Sequence, residues 1–204
     1  MPDFNAIANV TKTLTTFLTP RLQVIAPTAV AVEHDLITAP TPDPPKVTVF
    51  LFEASEDLSA RNRPRRRVSA NGGAVNKVRI SKPPMAMLLR YLITPWSGDR
   101  QTDQKLLGLV ARTFYDQPII SGTDLEGEGH TPDSGLSRSD AALKLTLAPL
   151  TLEERTRIWH AVQAKYRLSV TYEVRVVNIE PELSTETPTV RNRSLEFGGA
   201  GGVS

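Results

Sequence analysis

The stretch Tyr166-Arg167-Leu168-Ser169-Val170-Thr171-Tyr172-Glu173-Val174-Arg175-Val176-Val177-Asn178-Ile179 decides the fold class. From Leu168 on, apolar residues take alternate positions (Leu168, Val170, Tyr172, Val174, Val176), with Ser169, Thr171, Glu173 and Arg175 between them. Strand side chains alternate sides, so this pattern predicts one long strand with a buried and an exposed face. At Val177 and Ile179 the second face also turns apolar, which predicts cover on both sides at that end. The segment in front opens with Thr151-Leu152-Glu153-Glu154, a capping box. In such a box the hydroxyl accepts from a free first-turn amide and the carboxylate reaches back to the amide of the cap. Leu152, Ile158, Trp159 and Val162 then recur at helical spacing, predicting a helix that ends near Lys165.

Working back towards the N-terminus, Phe4, Ile7, Ala8, Leu14, Phe17 and Leu18 form the stripe of an amphipathic helix. Asp3 is its expected cap and Pro20 its expected stop. Short strands are expected at residues 22–25 and at Val30 and Val32, separated by Pro27. Pro40, Pro42, Pro44 and Pro45 make a stiff connector into residues 47–52, which are apolar on both faces except at Thr48 and read as a central strand. Met85 and the residues up to Ile93 read as another strand. Asp99 or Thr102 caps a middle helix carrying Leu106, Leu107, Val110 and Phe114, which Pro118 ends. Gly108 inside that helix costs about 1 kcal/mol against alanine, so a small residue should be required there. Residues 121–140 read as loop, and Leu145 and Leu147 as a short strand. The fold class is α+β: about three helices packed on a mixed, mostly antiparallel sheet.

Hydrophobic residues make up 40 % of the 204, enough for an ordinary core in one domain. The absence of cysteine excludes disulfides and thiolate metal sites. No apolar run approaches the roughly 20 residues a membrane-spanning helix needs. No basic region followed by an apolar block opens the sequence, so a secretory signal is not expected.

The net charge of +2 is unevenly placed. Arg61, Arg63, Arg65, Arg66, Arg67, Lys77, Arg79 and Lys82 lie in one stretch without a single acid, and the rest of the chain is net negative. Residues 55–82 lack a core pattern and hold the turn signal Asn71-Gly72-Gly73, so they are expected as a basic projecting hairpin or arm. This stretch reads equally as a solvated loop or as a contact for an acidic protein partner. The alternative is a nucleic-acid-binding accessory role through phosphate contacts. No aromatic residue lies among these basic ones, which disfavours recognition of single strands by base stacking.

Catalytic or metal chemistry finds no footing. Asp124, Glu126, Glu128, His130 and Asp133 cluster in a loop, but without the spacing of a calcium loop. His34, His130 and His160 have neither cysteine nor paired-histidine spacing. The terminal glycines from Gly198 to Gly202 lack the lysine and helix of a phosphate cradle. Gly135-Leu136-Ser137-Arg138-Ser139 lacks the second glycine of a nucleophile elbow. Glu173 and Arg175 share a strand face and suit a cross-sheet ion pair. No enzyme, cofactor or metal site is expected.

Several of these pieces together resemble one family. They are Phe4-Asn5-Ala6-Ile7-Ala8, Val49-Phe50-Leu51-Phe52, Tyr91-Leu92-Ile93-Thr94-Pro95, Leu106-Leu107-Gly108, and Trp159 followed by residues 166–177. In this order the sequence resembles the cap or tail-terminator proteins of extracellular contractile injection systems, which are phage-tail-like particles. The resemblance implies a non-enzymatic ring, a homo-oligomer expected as a hexamer. Such a ring caps the inner tube protein and the contractile sheath protein at the end distal to the baseplate. It also implies assembly in the cytoplasm, in a particle released from or anchored in the cell. Nucleic acid is not expected as partner, because the basic stretch lacks interleaved aromatics. Residues 1–180 are then the terminator-like domain, and 181–204 a tail that is flexible or ordered by a partner. Within that tail Thr189-Val190-Arg191-Asn192-Arg193-Ser194-Leu195 alternates in part, and Val190 and Leu195 join the basic residues as expected partner contacts through strand addition to a neighbour.

Overall fold

Helix α1 (Ala6–Leu22) turns Val10, Leu14, Phe17 and Leu18 inward and leaves Ala8 outside; Phe4, expected on its stripe, precedes the helix and is exposed. In the computed structural model the described residues are 4–60, 66–70, 77–81, 83–127, 136, 142–179 and 184–188. Pro20 does not stop α1, which runs two residues past it. In the last turn proline removes only one amide bond, and the following Arg21 reaches back to the Phe17 carbonyl and lies over the Phe17 ring. Asn5 stands at the cap position, and Asp3 lies outside the described residues.

After α1 come β1 (Val30–Glu33), β2 (Lys46–Glu56), β3 (Arg66–Ala70), β4 (Lys77–Ser81) and β5 (Met85–Trp96). They are followed by α2 (Arg100–Asp116), β6 (Ile119–Ser121), β7 (Ala142–Leu147), α3 (Leu152–Ala161), β8 (Val170–Ile179) and β9 (Ser184–Pro188). Residues 22–25, expected as strand, are instead the end of α1 at Leu22, fully buried, and a turn at 23–25.

The chain divides into two units. In the first, the six strands lie in the order β1-β2-β5-β8-β7-β6. Only β1 and β2 run parallel, so the sheet is mixed and mostly antiparallel, as expected. One face carries α1 and α2 over Val49, Leu89, Tyr91, Ile93, Tyr172 and Val174. There Phe114 stacks on Phe17 and meets Tyr172 edge-on at 4.8 Å. The other face carries α3, whose Trp159 packs with Leu36, Leu92 and Trp96.

Cover on both faces corrects the reading of β8. Ser169, Thr171 and Glu173, expected on an exposed face, are buried. Leu168, expected inside, is half exposed because the strand starts only at Val170. Further along, Val174 pairs with Leu89 but Val177 with Met87, so two residues of β8 oppose one of β5. Such a bulge shifts the strand by one residue, and the apolar pattern passes there from even to odd positions.

The capping box of α3 is present in full: Glu154 N donates to Thr151 Oγ1, and Thr151 N donates to Glu154 Oε2 at 2.8 Å. The helix ends at Ala161, before the expected Lys165, because Gln163 takes a left-handed conformation. Leu152, expected on the apolar stripe, is exposed. Helix α2 uses Asp99 as cap, and Gly108 within it faces open space rather than a neighbour that demands a small residue.

Strand β5 runs through Pro95 to Trp96, past the expected end at Ile93. Its pairing with β8 stops at Ile93, so proline falls where one side of the strand has no sheet neighbour. Arg167 fills that gap by donating to the Pro95 carbonyl at 3.3 Å.

The second unit is a three-stranded sheet in the order β3-β4-β9. Within the stretch expected as a projecting hairpin, β3 and β4 pair antiparallel. Residues 184–188, placed by the sequence reading in a flexible or partner-ordered tail, form a strand on the chain's own β4. The sequence Ser184-Thr185-Glu186-Thr187-Pro188 has no apolar alternation to announce it.

Candidate interaction surface

The expected contact residues divide by position. Arg66 and Arg67 lie on β3, and Lys77 and Arg79 on β4. Arg61, Arg63, Arg65, Lys82, Val190 and Leu195 fall outside the described residues. Register sets Arg79 opposite Val68 on one side and Glu186 on the other. By register, β9 thus places an acidic residue across from the central basic residue of the hairpin.

In the six-stranded unit several charged and polar groups pair with one another. Glu173 accepts from Arg90 at 3.4 Å and from Arg175 at 2.7 Å, and Arg90 also meets Glu53 at 3.0 Å. Glu53, Arg90 and Glu173 are opposite one another in register, a row of alternating charge across three strands. Glu173 and Arg175 pair with each other along β8, two residues apart on one strand face, rather than across the sheet as expected; the cross-sheet partner of Glu173 is Arg90. The Tyr91 hydroxyl is buried against Thr11 at 3.0 Å, and burial pushes its pKa well above the ordinary value. His34 accepts the Leu36 amide through Nδ1 at 2.9 Å. Of the acidic loop, Asp124 accepts from Gln117, and Glu126 gives its amide to Thr13. Glu128, His130 and Asp133 lie outside the described residues. Among the described residues no group of three or more metal-ligating side chains gathers.

A surface that the sequence reading missed lies at the C-terminal end of α2. Ala111, Phe114, Tyr115, Pro118, Leu145 and Leu147 line a groove of about 650 Å³. Tyr115 is 86 % exposed, and Leu147 and Ile119 are about half exposed, so the apolar lining continues onto the open surface. Tyr115 stands one residue past the Leu106-Leu107-Val110-Phe114 stripe, outside the buried face, and that offset is the signal the sequence offered. No described helix is long and apolar enough to cross a membrane.

Residues 9–192 match the family described as the Pvc16 N-terminal domain. The chain belongs to that family. The family resemblance drawn from the sequence is thereby confirmed. Two solved structures share the fold of this Pvc16 N-terminal domain. The PVC sheath/tube terminator of an extracellular contractile injection system, in its extended state, has a TM-score of 0.64 at 18 % identity, covering 97 % of this chain and 65 % of that one. The tube-terminating cap of the anti-feeding prophage has a TM-score of 0.58 at 20 % identity, covering 87 % of this chain and 58 % of that one. The chain thus spans less than two thirds of the length of either structure. A search of curated proteins finds no match.

Proposed function

We propose that this chain is a structural subunit that terminates the inner tube and caps the sheath of a contractile injection system at the end distal to the baseplate. The family match over residues 9–192 carries the reading. The likeness of fold to a sheath/tube terminator and to a tube-terminating cap supports it. The subunit works without catalysis, as a ring of identical copies, six by the resemblance, assembled in the cytoplasm on tube and sheath proteins. The basic hairpin bearing Arg66, Arg67, Lys77 and Arg79 faces an acidic partner surface, and residues beyond 188 add a further contact through Val190 and Leu195. Deleting the gene should leave tubes or sheaths irregular in length, or abolish particles, in electron micrographs. Capped particles of normal length in the deletion strain overturn the proposal.

A further inference from the structure

The two margins of the six-stranded sheet are treated differently. At the β1 margin the strand is four residues long, ends in the exposed Glu33, and has its Ala31 amide bonded to the Thr19 hydroxyl at 3.1 Å. Shortness, charge and a capped amide are the devices by which sheet edges avoid further pairing. The β7 margin carries no charged side chain beyond Lys144. Strand β6 covers β7 only as far as Lys144, and one more bond runs from Leu145 N to Pro118 O at 2.8 Å. Pro118 has no amide with which to return a bond to the Leu145 carbonyl. Ala148 N donates inward to Thr171 O at 2.9 Å, so by alternation the amide and carbonyl of Leu147 face outward. They meet no partner among the described residues. Opposite Leu147 the chain has already turned away into α2, and the apolar groove occupies the corner so formed.

We infer that the margin at residues 145–147 takes an extended segment of another polypeptide, which pairs with Leu147 as an added strand and seats one bulky apolar side chain between Tyr115, Phe114 and Leu145. The groove supplies the apolar pocket and the backbone supplies the hydrogen bonds, the two requirements of strand addition. Charge narrows the occupant. Lys144 is exposed and makes no ion pair among the described residues, and Arg112 on the groove wall has only the exposed Asp116 at 3.5 Å. The partner segment is therefore acidic on either side of its apolar anchor. This inference does not rest on the capping role.

The chain in solution is titrated against a fluorescein-labelled nonapeptide of alternating valine and glutamate with a central leucine, followed by anisotropy. Saturable binding is expected, together with slowed hydrogen exchange of the Leu147 amide. Of the backbone hydrogen-bonding groups Leu147→Pro removes only an outward amide, since the inward bonds belong to its neighbours, and with the loss of the Leu147 side chain from the groove it should weaken binding at least about tenfold. Ala111→Trp fills the groove and should do the same; if Leu147→Pro fails to fold, this variant decides alone. The same peptide with prolines in place of two valines cannot pair as a strand and should not bind. Absence of saturation up to about 1 mM, or equal affinity for the wild type and a folded variant, overturns the inference.

Discussion

The guanidinium carbon of Arg167 lies 4.2 Å from the centre of the Trp96 ring. The same side chain donates to Asp103 at 2.7 Å and to the Pro95 carbonyl at 3.3 Å, and Asp103 in turn accepts from Ser97. One cation thus ties the end of β5, the first turn of α2 and the approach to β8. Arg167→Ala should lower stability by about 1–2 kcal/mol, after discounting for its one-third exposure. Arg167→Lys should restore only part, since an ammonium cannot stack and fork at once. Urea unfolding measures both; an Arg167→Ala midpoint equal to wild type would remove the tie.

Two helix caps contribute to stability against acid. The hydroxyl of Thr102, and then its amide, hold the Asp99 carboxyl below its usual pKa. The amide of Thr151, and then its hydroxyl, do the same for Glu154. A carboxyl lowered in the folded state adds stability above its unfolded pKa, and that stability is lost as pH falls through the folded pKa. Asp99→Asn combined with Glu154→Gln should therefore flatten the fall in urea midpoint between about pH 7 and pH 3. An equally steep fall in the double variant contradicts this.

Two glycines should respond in opposite directions. Gly108 sits in mid-helix with nothing near its missing Cβ, so Gly108→Ala should raise stability by about 1 kcal/mol. Gly127 has φ +102°, and a Cβ there would collide with the Asn9 side chain on α1. Gly127→Ala should destabilise by about 2 kcal/mol or more. Thermal melts of the two variants should move apart; a fall for Gly108→Ala would mean that its open surface is occupied in solution.

Removing residues 181–204 should leave the six-stranded unit folded, because β8 and its partners lie before the cut. In the hairpin, β4 loses the strand that pairs along one side. Hydrogen exchange should therefore rise at β4 while staying unchanged in β5 and β8. Global loss of protection would place the fold's dependence beyond residue 180.

What could be read from the sequence was what is written locally. The box Thr151-Leu152-Glu153-Glu154 needs only its own four residues, and the even-numbered apolar row of β8 needs only a period. Long-range cover was not legible. Thr171 and Glu173 look solvated until α3 and the charge row from Glu53 to Arg90 close over that face. Strand β9 depends on a partner about a hundred residues earlier in the chain, and nothing in its own pattern marks it. The groove likewise arises where Pro118 turns the chain away from β7, a relation between elements and not a motif. The family likeness survived these misreadings because it rested on the order of several core segments.

The hydrogen bond from Ala31 to the Thr19 hydroxyl has a meaning in the language of polymers. A building block with two reactive ends propagates a chain, and one with a single reactive end stops it. The β1 margin is short, charged and bonded at Ala31, and strand addition is proposed at the β7 margin alone, so this sheet would offer one end to a growing row of strands. In polymer terms, a unit with one such end is a chain stopper.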